Sequence, residues 1–87
     1  MRPVRVSTRS GSRYEVDPAH CRIRRLTGTH DPTPRQGPDG RWKHYVELGG
    51  PIEGVPMSIV WDVEVVDGRT RERGTVTSAV EEVGEAG

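Results

Sequence analysis

Polar and apolar residues alternate along this chain in short runs, and no window carries the i, i+3, i+4 spacing of an amphipathic helix. Val4, Val6 and Thr8 alternate with Arg5, Ser7 and Arg9. Tyr14 and Val16 alternate with Arg13, Glu15 and Asp17, and Cys21, Ile23 and Arg25 alternate with Arg22, Arg24 and Leu26. Ser10-Gly11-Ser12 and Asp17-Pro18-Ala19-His20 lie between these runs and read as turns. The pattern predicts a meander of antiparallel strands. Facing residues share a side of the sheet, so Val6 is expected opposite Val16 and Thr8 opposite Tyr14, across a turn at 10–12. Val16 is then expected opposite Cys21 and Tyr14 opposite Ile23, across a loop at 17–20. This register puts Cys21 in the core. It leaves Arg5, Ser7, Arg9, Arg13, Glu15, Arg22, Arg24 and Leu26 on the outer face, which is strongly basic.

Residues 27–41 hold three Pro and three Gly, and no strand or helix fits them. Trp42, His44, Val46 and Leu48 alternate with Lys43, Tyr45 and Glu47, predicting a fourth strand. Met57 to Val66 gives the longest and clearest strand. Asp67-Gly68 is a hairpin signal, Arg69 to Gly74 a protruding polar tip, and Thr75 to Val80 a last strand. The acidic end, Glu81 to Gly87, is expected to fray, so the chain reads as one β domain over 1–83 with a tail at 84–87. The fold class is all-β: a small antiparallel barrel or a two-layer sandwich of about six short strands.

Only 31% of the 87 residues are hydrophobic and none is Phe. The candidate core is Val4, Val6, Tyr14, Val16, Ile23, Trp42, Val46, Leu48, Ile52, Val55, Met57, Ile59, Trp61, Val63, Val65, Val76 and Val80. So small a core leaves stability marginal. The single cysteine excludes an internal disulfide, which leaves oligomerisation as the reinforcement. No apolar run approaches the roughly 20 residues of a membrane span, and the N-terminal stretch carries no signal-like apolar segment. A cytoplasmic protein with a reduced thiol is expected, with no membrane partner.

The formal net charge is zero, but the charges are sorted. Residues 1–45 hold ten Lys/Arg against four Asp/Glu, and residues 46–87 hold three against nine. Such halves either face an acidic partner or fold against each other. Twelve of the thirteen basic residues are Arg, which fits a GC-rich genome and also fits forked recognition of phosphate or carboxylate. Arg5, Arg9, Arg13, Arg22 and Arg24 on the sheet, with Arg35, Arg41 and Trp42 at the long loop, are the candidate binding residues. The arginines would meet phosphates and Trp42 would stack a base or anchor a protein partner.

Other chemistries find little purchase. His20, Cys21, His30, Asp31 and His44 match no zinc spacing, so no metal or cofactor is expected. No nucleophile motif is present, and Gly49-Gly50-Pro51-Ile52-Glu53-Gly54 lacks the Lys-Ser/Thr end of a phosphate loop. A non-enzymatic protein is expected.

The run Thr8-Arg9-Ser10-Gly11-Ser12-Arg13-Tyr14-Glu15-Val16-Asp17 resembles the opening of small uncharacterised proteins of actinobacterial phages and prophages. Arg24-Arg25-Leu26, then Pro34-Arg35-Gln36-Gly37-Pro38-Asp39-Gly40-Arg41-Trp42, then Ile59-Val60-Trp61 continue the resemblance. It implies an accessory protein made inside a bacterial host and implies no activity or functional residue. The expectation is a protein-interaction module acting on a host protein and able to self-associate. Two alternatives stay open: a nucleic-acid-binding barrel using the arginine face, and a homo-oligomer sequestering an anionic ligand such as a nucleotide signal.

Overall fold

The computed structural model describes residues 2–28 and 37–85. The described residues form one antiparallel sheet of seven strands, in the order β4-β3-β2-β1-β7-β6-β5. The strands are β1 (Val4–Thr8), β2 (Arg13–Asp17), β3 (Arg22–Thr27), β4 (Lys43–His44), β5 (Glu47–Gly49), β6 (Pro56–Val66) and β7 (Arg69–Glu85). The all-β expectation therefore holds, with longer C-terminal strands than the sequence pattern suggested. Arg69–Gly74, Thr75–Val80 and Glu81–Glu85 are one continuous strand.

β7 organises the molecule. Its first part pairs with β6 from Arg69 to Ala79, and its last part pairs with β1 from Val80 to Glu85. The change of partner falls at Val80, where the Val80 N–H donates to the Val55 carbonyl and the Gly54 N–H donates to the Val80 carbonyl. Bulges between Ser7 and Thr8 and between Pro56 and Ser58 add local bending near this point. The sheet thus folds over, and Val6, Tyr14, Val16 and Ile23 from β1–β3 pack against Met57, Ile59 and Trp61 from β6, with Val80 at the bend.

The sheet is not a closed barrel; the sandwich alternative fits. Its terminal strands β4 and β5 belong to one stretch of chain and do not pair with each other. Tyr45 donates its N–H to Cys21 at the β3 side, and the next residue, Val46, donates to Val60 on β6. The stretch passes from one edge of the sheet to the other, so the ladder breaks there. The break also changes which side chains face inward. Lys43 and Tyr45 lie on the core side, with Lys43 Nζ 5.0 Å from the Trp61 ring centre, while Trp42 lies outside.

Two registers differ from expectation by two residues, which preserves the face of every side chain. Val6 lies opposite Tyr14 and Val4 opposite Val16. The turn is Arg9-Ser10-Gly11: the Gly11 N–H donates to Thr8, and Gly11 takes φ 94°, the left-handed position that a three-residue hairpin loop requires. Likewise Val16 lies opposite Ile23 and Tyr14 opposite Arg25. A 3-10 turn over Pro18–His20 displaces Cys21 out of the strand, so Cys21 is exposed at φ 47° and not in the core.

The expected frayed tail is also corrected, since Gly84 pairs with Arg5 and Glu85 with Val4; residues 86–87 lie outside the described ones. Val46, Ile52, Val55, Val63, Val65 and Val76, expected in the core, are exposed. Trp42 is only half-buried. Ile59 is 1% exposed and Val65 72% exposed. Ile59→Ala is therefore expected to cost about 2–5 kcal/mol in urea unfolding, and Val65→Ala less than about 0.5 kcal/mol.

Candidate functional site

The outer face of β1–β3 carries Arg5, Arg13, Arg22 and Arg24, as the alternation predicts, and all but Arg13 are paired among the described residues; Arg9, expected on the same face, lies in the turn after β1. Cross-strand pairing puts Arg5, Glu15 and Arg24 in one row across three strands, and Asp17 beside Arg22 in the next. Glu15 is buried between its neighbours. Arg24 Nε donates to Glu15 Oε1 at 2.6 Å, and Arg5 Nη2 lies 3.5 Å from Glu15 Oε2. Asp17, also buried, accepts from Arg22 Nε and from His20 Nδ1, both at 2.9 Å. Burial alone would push the Asp17 carboxyl up. The hydrogen bonds from Arg22 and His20 and the attraction of both groups outweigh it, and the carboxyl sits below its ordinary value.

Trp42 caps this seam. The guanidinium carbons of Arg22 and Arg24 lie 4.5 and 4.6 Å from its ring centre. Two cations already paired with carboxylates thus also contact an aromatic ring, an arrangement worth about 0.5–1 kcal/mol per contact at an exposed site. The chain just before Trp42 is held by a second ion pair. Arg25, on the core-side parity of β3 and buried, donates from Nε to Asp39 Oδ1 at 2.6 Å and from Nη2 to Asp39 Oδ2 at 3.3 Å. The Gly40 N–H donates to the Arg25 carbonyl at 2.7 Å. Asp39 and Gly40 are therefore fastened to β3.

Of the sequence-predicted site residues, Arg5, Arg22, Arg24 and Trp42 come together and are internally matched. Arg9, Arg13 and Arg41 are exposed and make no ion pair among the described residues. Arg35 lies outside the described residues. The acidic half does not cover the arginines of β3: Asp62 and Glu64 meet Arg73 on the neighbouring strand. Glu15 and Asp17 were visible in the alternation on the same face as the arginines. The alternation alone does not reveal their role, because the row that joins Arg5, Glu15 and Arg24 depends on register. Asp39 as the partner of Arg25 had no local signal.

No group of three or more His, Cys, Asp or Glu that could hold a metal occurs among the described residues. No helix among them is long and apolar enough to cross a membrane. Comparison with protein-family models, with curated proteins and with solved structures finds no match to this chain.

A second exposed feature lies at the far end of the molecule. Beyond Val60, β6 and β7 form a two-stranded arm closed by Asp67-Gly68, whose φ values of 51° and 74° suit a tight two-residue hairpin turn. β5 pairs with β6 only from Ser58 to Val60, and β1 pairs with β7 only from Val80 onward. No other described strand therefore flanks the arm. Val63 and Val65 share one face with Glu72 and Thr70; Asp62 and Glu64 share the other with Arg73 and Arg71. Gly74 sits where a Cβ would collide with the Ile59 carbonyl oxygen, so the close approach of the two strands at the base of the arm requires glycine.

The lowered Asp17 carboxyl gives a signed pH dependence. Its stabilising share is complete above the ordinary value of 3.8 and is lost as pH falls through the lower folded value. Asp17→Asn is expected to lower the melting temperature at neutral pH, with the gap from wild type closing in acid. Calorimetry between about pH 7 and pH 2 checks this; a gap that keeps its size throughout would contradict the carboxylate's role.

Proposed function

We propose that this chain is a non-enzymatic binding module, an accessory protein of phage or prophage type, that engages a host protein through the β6–β7 arm. The observation that carries this reading is the arm itself. Val63, Val65 and Val66 are all exposed, Val65 at 72%, on a hairpin whose two edges no other described strand pairs. A two-stranded ribbon gains little stability of its own, so so much exposed valine is more economically explained by contact than by folding. The edges offer main-chain hydrogen bonds to an added strand, and the alternate side chains offer selectivity. The charges on Asp62, Glu64 and Arg71 restrain indiscriminate pairing.

The nucleic-acid alternative loses support because Arg5, Arg22 and Arg24 are matched by Glu15 and Asp17. It retains Arg9, Arg13 and Arg41. The two are separated by a capture experiment run beside a titration. Purified wild-type protein is expected to retain a host protein whose binding, once that protein is purified, is lost with Val65→Lys and kept with Arg9→Glu. Labelled DNA and RNA are expected not to bind at about 50 mM salt. Binding of nucleic acid that collapses by about 200 mM salt and is lost with Arg9→Glu or Arg41→Glu would overturn the proposal. A thermal shift with nucleotides would move it toward ligand sequestration.

A further inference from the structure

The face where β1 runs between β2 and β7 differs from both the Trp42 seam and the arm. Ser7 on β1 lies opposite Arg13 on β2 and opposite Glu82 on β7, so Arg13, Ser7 and Glu82 form one row across three strands. The next row is Glu15, Arg5 and Gly84. The result is a groove lined by Arg5, Ser7, Arg13, Glu82, Gly84 and Glu85. Its floor is small, made by Ser7 and Gly84, and a Cβ on Gly84 would meet nothing within 4 Å. One wall is basic and the other acidic.

Arg13 and Glu82 are exposed and form no ion pair among the described residues. Strand spacing sets their backbones about 10 Å apart with Ser7 between them. Arg5 is drawn to the β2 side by Glu15, 3.5 Å away. Glu85 has Arg2 at 3.8 Å, but both side chains are at least 76% exposed, so that contact is weak and screened. The face therefore keeps a separation of charge across a shallow, narrow floor.

Such a surface is complementary to itself. A two-fold axis lying between two copies and running along β1 exchanges left for right and preserves height along the strands. Arg13 then meets the partner's Glu82, and Glu82 meets the partner's Arg13, an isologous contact of the kind most homodimers use. Across that axis Ser7 meets its own copy, and Arg5, drawn toward Glu15 on the β2 side, lies over the small Gly84 of the second copy. We propose that this face is the interface of a homodimer of this chain, held by two reciprocal Arg13–Glu82 pairs. The proposal stands apart from the arm, which it leaves exposed on both subunits, and it supplies burial to a protein whose own core is small.

Sedimentation velocity of the full chain tests it. Wild type is expected to be dimeric at about 200 μM protein and about 50 mM salt, and to dissociate at least about tenfold more readily at about 500 mM. Arg13→Glu alone and Glu82→Arg alone are each expected to be folded monomers, since each sets like charges together twice. An equimolar mixture of the two is expected to form a heterodimer, because both contacts then become attractive. Arg13→Gln and Glu82→Gln give milder versions that should weaken the dimer and flatten its salt dependence. A monomeric wild type at low salt, or a mixture that stays monomeric while both variants are folded by circular dichroism, would overturn the proposal. So would a dimer indifferent to both reversals and broken by Val65→Arg, which would put the contact on the arm.

Discussion

Everything else in this structure depends on β7 serving two neighbours. One strand from Arg69 to Glu85 pairs first with β6 and then with β1, changing partner at Val80. A straight strand of this length would hold a flat sheet with half its apolar residues in water. The bend at Val80 folds the sheet so that the inner side chains of β1–β3 meet those of β6. Val80 is 1% exposed, and its backbone is tied on both sides to residues 54 and 55. Burial of a few large side chains is the main favourable contribution available to so polar a chain, and the bend is what makes that burial possible. The same strand, continued past the core, produces the arm.

The electrostatics follow a local rule. The two halves of the chain carry opposite charge, yet on the outer sheet and on the arm the opposite charges find partners within their own half. Arg5, Arg22 and Arg24 pair with Glu15 and Asp17; Arg73 pairs with Asp62 and Glu64. Short antiparallel connections bring neighbours in sequence into cross-strand contact, which places these charges beside their partners. The β1–β7 ladder is where the basic and acidic halves adjoin along a sheet. There Arg13 and Glu82 are set apart by Ser7 and form no ion pair among the described residues. A surface with that separation differs from a uniformly basic one: it is complementary to a surface of the same pattern.

Trp42 shows how packing and charge combine. It lies against two guanidiniums whose positions are already fixed by carboxylates, so the ring is held by ordered groups and not by flexible chains. Ordering arginines in this way reduces the entropy lost when they make further contacts. The seam is thus an internally matched surface, while Val63, Val65 and Val66 stand exposed on the arm.

Strand content, the alternation of faces and the turn positions were legible in the sequence because period-two patterning and Gly/Pro punctuation are local properties. Val6, Tyr14, Val16, Ile23, Met57, Ile59, Trp61 and Val80 were all recognisable as core, and so was the face carrying Arg5, Arg22 and Arg24. Register was not legible to the residue, because a two-residue slip leaves every face unchanged; it moved Cys21 from the core to an exposed turn and brought Glu15 between two arginines. The long β7 was hidden because Arg69–Gly74 reads as polar loop until its arginines are seen opposite Asp62 and Glu64. Valines at 63, 65 and 76 carry the same local signal as those in the core, and only the reach of the opposite layer decides which of them is covered. The sequence alone thus determined the strands β1–β3 and β6 and their faces, since these depend on neighbours along the chain. The tertiary structure alone decided the bend at Val80, the open edges of the arm and the separated charges beside Ser7, since each depends on which distant strands come to lie together.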